Sequence, residues 1–355
     1  TFKHNLIDTI PSFNWPKWLA LKNWNIDDLL EVHHVELLSL REHVDLVVGG
    51  PPCQGFSVAG RRQATDQRNT LIDSYLKFVE IVQPRIIVFE NVRGFTLKFS
   101  GEKSHSEIIV KKLNDLGYSD ARGEMINFAE YGVPQRRERF LVIATRQGLS
   151  DDIFSTVEGN RIDFLDKKGI GPTVDSQSAL SDLERKHGVV DCPDSLRYLS
   201  GVTAARPTAF QRALRLHNET SYVPQSHRFV NHTPDMQKIF ERLLEKAPRN
   251  QTIKGKEREA YGFKKRSLMV LDPNEPSATI TTIPDDFVHY AEPRVMTVRE
   301  CARLQTFPDC FKFSGPYTTG SKERVRQVPR YTQVGNAVPP LFAEQLGIAI
   351  NRALS

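Results

Sequence analysis

Cysteine is scarce in this sequence. Only Cys53, Cys192, Cys301 and Cys310 occur among 355 residues, and no two of them form a CxxC pair. That excludes a disulfide framework and argues against a zinc site, so no metal is expected. No stretch approaches the roughly 20 apolar residues that a membrane helix needs, so no membrane-spanning role is expected. A secretory signal is also absent from the start, and a reduced, cytoplasmic chain is the reading that fits. Excess charge of one sign is small: 48 Lys and Arg against 43 Asp and Glu leave a net +5. Such a balance is compatible with a polyanionic partner without requiring one. The hydrophobic content of 39% and charged content of 26% are ordinary for a globular protein of one large and one small domain.

What is present centres on Cys53. The apolar run Val44-Asp45-Leu46-Val47-Val48 leads directly into Gly49-Gly50-Pro51-Pro52-Cys53-Gln54. A run of β-branched residues reads as a strand covered on both faces, as in parallel sheets, where ligands bind beyond the carboxyl ends of the strands. Two glycines permit a sharp turn and two prolines stiffen it, which would hold the thiol in one place. The alternative is a small buried hydrophobe, the usual role of a free cysteine.

Around this turn, strands and helices alternate. After Val44–Val48 comes a helical face of Ile72, Tyr75, Leu76, Val79 and Val82, and then strand Arg85–Phe89, which delivers Glu90-Asn91-Val92. A helix carrying Ile109, Val110, Leu113 and Leu116 stops at Gly117, and strand Arg139–Ala144 follows Gln135-Arg136-Arg137-Glu138. The alternation predicts an α/β fold with a doubly wound, mostly parallel sheet. It fails after about residue 150, where one helix stands out, capped by Thr233, begun by Pro234 and carrying Met236, Ile239, Phe240, Leu243 and Leu244. The same stretch holds Lys254, Lys256, Arg258, Lys264, Lys265 and Arg266, either a solvated loop or a phosphate-contacting surface. A helix from Leu341 to about Leu354, with Pro340 in its first turn, closes the chain.

Three strand ends in one parallel sheet would bring Cys53, Glu90 and the Arg137/Arg139 pair to a common edge. Singly, Glu90 could be a capping or salt-bridged carboxylate and the arginines surface charges. In combination they resemble something specific. Pro51-Pro52-Cys53-Gln54, Glu90-Asn91-Val92, Gln135-Arg136-Arg137-Glu138-Arg139, Arg299-Glu300-Cys301-Ala302-Arg303-Leu304-Gln305 and Gly335-Asn336 closely resemble successive motifs of the S-adenosylmethionine-dependent DNA (cytosine-5)-methyltransferases of prokaryotic modification type. The resemblance implies a Rossmann-like class I methyltransferase. Residues 1–185 would form the catalytic and cofactor domain, 186–330 a smaller, irregular target recognition domain, and 331–355 a segment and helix returning to the first.

The resemblance also implies roles. Cys53 would add as a thiolate to carbon 6 of a flipped-out cytosine, making carbon 5 nucleophilic. Glu90 would bond the exocyclic amine and share a proton with N3, Arg139 would hold the base at O2, and Arg137 would bind backbone phosphate or steady the cysteine loop. Gln54 to Arg68 would be a mobile loop closing over the base, with Gln54, Ser57, Arg61, Arg62 and Arg68 on DNA, although a merely disordered loop is the alternative. Thr279 and Ile280 would lie near the flipped base. Leu71, Asn336, Val338 and, within Asn25-Ile26-Asp27, Ile26 would contact S-adenosylmethionine, whose product is S-adenosylhomocysteine.

The family's Phe-x-Gly-x-Gly loop, and the acidic ribose ligand that follows it, have no counterpart in this sequence, which opens at Thr1-Phe2-Lys3-His4-Asn5. That part lies outside the given sequence, or comes from a separate subunit, or is lost in a degenerate enzyme; intact Cys53 and Glu90 weigh against the last. The expected partners are double-stranded DNA and, functionally, a cognate restriction endonuclease, the chain acting as a monomer or beside a subunit carrying the absent motif. A tRNA-directed enzyme would carry a Cys-Phe-Thr signature, which is not found. A non-catalytic DNA-binding subunit is the third reading.

Overall fold

A computed structural model describes residues 1–51, 70–97, 103–215, 220–263, 267–283, 286–317 and 327–355. The chain divides into two compact units. The larger comprises Thr1–Asn14, Phe128–Arg137 and Arg161–Glu344, and the smaller Trp15–Asn127, Glu138–Asn160 and Gln345–Ser355.

The first five strands are β1 Leu46–Gly49, β2 Ile86–Val92, β3 Arg122–Asn127, β4 Gln135–Arg136 and β5 Glu138–Thr145. In the smaller unit a four-stranded sheet has the order β1-β2-β5-β3. Only β1 and β2 are parallel, with Leu46 opposite Ile86, whereas β5 runs antiparallel to both its neighbours. The sheet is therefore mixed, which corrects the expectation of a mostly parallel one. The connection from β3 to β5 holds no crossover helix, and strands joined that way pair antiparallel. A second correction concerns β1. It sits at the end of the sheet order, and Val48 is 66% exposed, so the strand is not covered on both faces.

The helices of this unit follow their sequence signals. In Thr70–Val82 the predicted face of Ile72, Tyr75, Leu76 and Val79 is buried and packs with Ile87, Phe89, Phe140 and Val142 from the sheet. Helix His105–Asp115 opens with a capping box between Ser104 and Glu107. It closes in a Schellman turn, where Gly117 N donates to Asn114 O and Tyr118 N to Leu113 O, each at 3.0 Å. Gly117 has φ +93°, the left-handed backbone that favours glycine there.

In the larger unit β6 Val189–Asp191 pairs antiparallel with β7 Leu199–Gly201. β8 Thr252–Lys254, β9 Ser267–Val270 and β11 Phe287–Val288 form a three-stranded sheet, and β10 Ser277–Ala278 pairs parallel with β4. The predicted helix Pro234–Lys246, capped by Thr233, buries Phe240 and Leu243 against Ile253, Leu268 and Val270. A larger core surrounds helix Val298–Leu304, every residue of which is buried. The stretch after residue 150 is less irregular than expected, because helix Ser150–Lys167 occupies its start. Gly159 in mid-helix and its many polar residues blur the apolar periodicity there. Helix Pro340–Leu354 ends the chain as predicted, and no described helix is long and apolar enough to cross a membrane.

Candidate active site

The antiparallel course of β5 builds the site in the smaller unit. Val92, at the end of β2, lies opposite Arg139, at the start of β5, and Glu90 lies opposite Leu141. Side chains alternate faces along a strand, so Glu90 and Arg139 share one face as diagonal neighbours. Arg139 Nε reaches Glu90 Oε1 at 2.9 Å, with the two side chains only 13% and 17% exposed. The carboxylate also borders the turn after β1: a Cβ built on Gly50 would lie 3.3 Å from Glu90 Oε2.

Asn91 points the other way and is buried. Its Nδ2 donates to the Pro51 carbonyl at 3.1 Å, and its Oδ1 accepts from Val92 N at 2.9 Å. The amide thus ties the end of β2 to the turn that enters Pro52-Cys53. Cys53 itself lies outside the described residues, as do Gln54, Ser57, Arg61, Arg62 and Arg68. Among the described cysteines, Cys192 and Cys301 are buried, and burial pushes both thiols up, away from thiolate formation at neutral pH.

Beside β1, a cavity of about 410 Å³ brings together two of the expected cofactor residues, Ile26 and Leu71, with Trp24, Leu29, Gly49 and Phe78. Asn25 caps helix Ile26–Val32 by accepting from Asp27 N at 2.9 Å, and Ser74 Oγ donates to Asp27 Oδ1 at 2.5 Å, which positions this wall. The Tyr75 ring fills the space a side chain at Gly49 would need, since a Cβ there would lie 2.2 Å from Cε2. A mostly apolar slot at the carboxyl end of a strand fits a flat, apolar-faced adenine. Asn336 and Val338 lie in the larger unit, at and just beyond the end of helix Arg330–Asn336.

The motif Gln135-Arg136-Arg137 also belongs to the larger unit. Arg137 is 2% exposed and donates to the carbonyls of Ile280 at 3.3 Å and Gly335 at 2.9 Å. A guanidinium so enclosed clamps two loops together; its burial does not favour phosphate contact, and the cysteine loop, the other expected partner, lies outside the described residues. Ile280 is 2% exposed and packs in the apolar core. Thr279 remains at the surface side, its hydroxyl bonded to Arg136 O at 2.8 Å. Of the basic segment, Lys254 and Lys256 are exposed and Arg258 pairs with Glu259 at 3.1 Å, while Lys264, Lys265 and Arg266 lie outside the described residues.

Buried amides complete this knot. Gln135 donates to Gln305 Oε1 at 2.9 Å and accepts from Ile280 N at 2.8 Å, and Gln305 donates to Val334 O at 2.9 Å. A Cβ on Gly335 would lie 2.4 Å from Thr281 O, so only glycine permits the approach. Gln135 and Gln305 carry no sign of these roles in sequence beyond being uncharged polar residues inside motifs.

Relatives give the arrangement its context. A family model for the C-5 cytosine-specific DNA methylase matches residues 14–352. Type II methyltransferase M.DdeI of Desulfomicrobium norvegicum is 29% identical over 328 residues, spanning 87% of this chain and 72% of the relative. Type II methyltransferase M.XorII of Xanthomonas oryzae pv. oryzae is 29% identical over 348 residues, covering 96% and 76%. M.Bpa9945I of Bacillus paralicheniformis, another type II methyltransferase, is 30% identical over 342 residues, covering 88% and 71%. The fold resembles a crystal structure described as a DNA modification methyltransferase encoded within an E. coli prophage, with a TM-score of 0.59, 23% identity and coverage of 93% of this chain and 85% of the other. With the family model spanning nearly its whole length, the chain belongs to the C-5 cytosine-specific DNA methylase family.

Proposed function

We propose that this enzyme methylates carbon 5 of a cytosine flipped out of a specific duplex DNA sequence, through covalent addition of Cys53 to carbon 6. The observation that carries the proposal is the Glu90–Arg139 pair, set where the Asn91-anchored turn leads to Cys53. A carboxylate and a guanidinium on one sheet face match the polar edge of cytosine. Glu90 accepts from the exocyclic amine and shares a proton with N3, and Arg139 donates to O2. As the Cys53 sulfur bonds to carbon 6, electron density moves towards carbon 5 and N3, and the shared proton stabilises the resulting enamine. Ile26 and Leu71 would hold S-adenosylmethionine, which would supply the electrophilic methyl group for carbon 5 and have S-adenosylhomocysteine as its product. Loss of the carbon 5 proton then expels the Cys53 sulfur and restores the aromatic ring. None of this is accessible within a stacked duplex, so the base is flipped out.

Residues 186–330 are proposed to choose the target, with Gln54–Arg68 closing over it. The type II names of the relatives suggest a paired restriction endonuclease as functional partner. Labelled methyl incorporation into duplex DNA, with tRNA in parallel, tests the proposal. Incorporation into DNA alone is expected. Incorporation into tRNA alone, or binding of DNA with no transfer when the cofactor is bound, would overturn it.

A further inference from the structure

The larger unit holds a second cavity, of about 450 Å³, between β8, β9 and β11 and the turn that follows β10. Met269 and Phe287 give it apolar walls, and Arg136, Thr279, Thr281 and Asp286 give it polar ones. Asp286 is the informative residue. Thr281 Oγ1 donates to Asp286 Oδ2 at 2.6 Å, and the same hydroxyl oxygen accepts from the Ile283 amide at 3.2 Å, so a local turn sets the direction of the carboxylate. Among the described residues its other oxygen, Oδ1, has no hydrogen-bond partner.

A carboxylate held in one orientation with one oxygen open is a fixed acceptor awaiting a donor. On a DNA-binding enzyme it repels phosphates, and the DNA groups it can accept from are base donors. In the major groove the donors are amino groups, and the carboxylate pairing is with N4 of cytosine. Arg136, on the same cavity, has the complementary preference for O6 and N7 of guanine. Its ion pair with Glu275 is about half exposed on both sides, and such surface pairs cost little to exchange.

We infer that this cavity reads a C·G base pair of the DNA site, Asp286 accepting from the cytosine amino group and Arg136 donating to the guanine. The inference rests on DNA being the substrate, and it names a contact that would discriminate among DNA sequences.

Binding the full chain to a duplex pool randomised around a cytosine, then sequencing the retained DNA, tests it without requiring methyl transfer. Wild type is expected to select C·G at one position. Asp286→Asn, nearly isosteric, should relax that preference by roughly 10-fold while leaving the other positions unchanged. Arg136→Gln should relax the same position, and Thr281→Val, which removes only the orienting hydroxyl, should do so more weakly. Retention of DNA with wild-type preferences in both charge variants would overturn this inference alone. A wild type that retains no duplex would overturn the DNA reading, and this inference with it.

Discussion

Adjacent residues on a strand point to opposite faces, and Glu90 and Asn91 divide two duties on that basis. Glu90 turns to Arg139 and the turn glycine Gly50, while Asn91 turns to the Pro51 carbonyl and fixes the approach to Cys53. Glu90→Gln keeps the shape and removes the proton carrier. It should lower kcat by roughly 10²- to 10⁴-fold with folding intact, as measured by methyl incorporation beside a thermal melt. Asn91→Ala leaves the part-buried Val92 amide and the Pro51 carbonyl without this partner. A loss of about 1–3 kcal/mol is expected in denaturant unfolding, together with reduced turnover. Glu90 and Arg139 were legible in the sequence, because each stands at a strand end within a motif. The duty of Asn91 was not, since it depends on which carbonyl lies across the sheet edge. The burial of Arg137 was hidden for a related reason: an arginine two residues from Arg139 looks equally accessible until the chain is seen to pass into the other unit between Arg137 and Glu138.

Helix Val298–Leu304 has a charged sequence and an interior position. Arg294 meets Glu300 through two bonds of 2.8 and 2.6 Å, and Arg303 joins Asp309 at 2.6 Å and Asp182 at 3.1 Å. Charges this deep are retained only when paired, so sequence alone suggests a solvated helix where the structure has a core. Two buried histidines flank it. His227 Nε2 faces the Leu183 carbonyl at 2.8 Å, which can only accept, so Nε2 carries the proton and Nδ1 accepts from Thr297 Oγ1 at 2.9 Å. Burial, helped by Arg294 and Arg299 against the opposing pull of Glu300, pushes His227 down from 6.5 to about 4. Burial with Arg294, His227 and Lys186, again opposed by Glu300, takes His289 from 6.5 to about 3. Both rings are neutral when folded, whereas the unfolded chain takes up protons near pH 6.5. Their contribution is therefore complete above that pH and declines as pH falls towards about 4. Burial raises the Glu300 carboxyl, but Arg294 outweighs it and holds the group well below the usual range, a contribution lost only in stronger acid. The thermal midpoint should fall steeply on going below about pH 6.5, and a flat profile to about pH 4.5 would contradict this account. Gly335→Ala, forced against Thr281 O, should cost about 1–3 kcal/mol in the same measurement.

Across the whole molecule, the motifs sort into two groups. Those in the smaller unit gather the groups proposed for the chemistry: β1 and its turn, the Glu90 strand end and Arg139. Those in the larger unit hold each other, with Gln135, Arg137, Gln305 and Gly335 bonded or packed into one knot. The α/β character was legible from the alternation of strand and helix patterns. The mixed sheet was not, because strand direction depends on how a connection travels, and periodicity does not encode that. The central claim is that Cys53 attacks carbon 6 of a flipped cytosine. It is tested most directly by incubating the full chain, loaded with S-adenosylmethionine, with duplex DNA containing 5-fluorocytosine at the target position, since fluorine cannot leave as the carbon 5 proton does. The account predicts a denaturation-resistant protein–DNA adduct that maps to Cys53 and disappears in Cys53→Ser. Methyl transfer without any adduct, or an adduct at another residue, would contradict it.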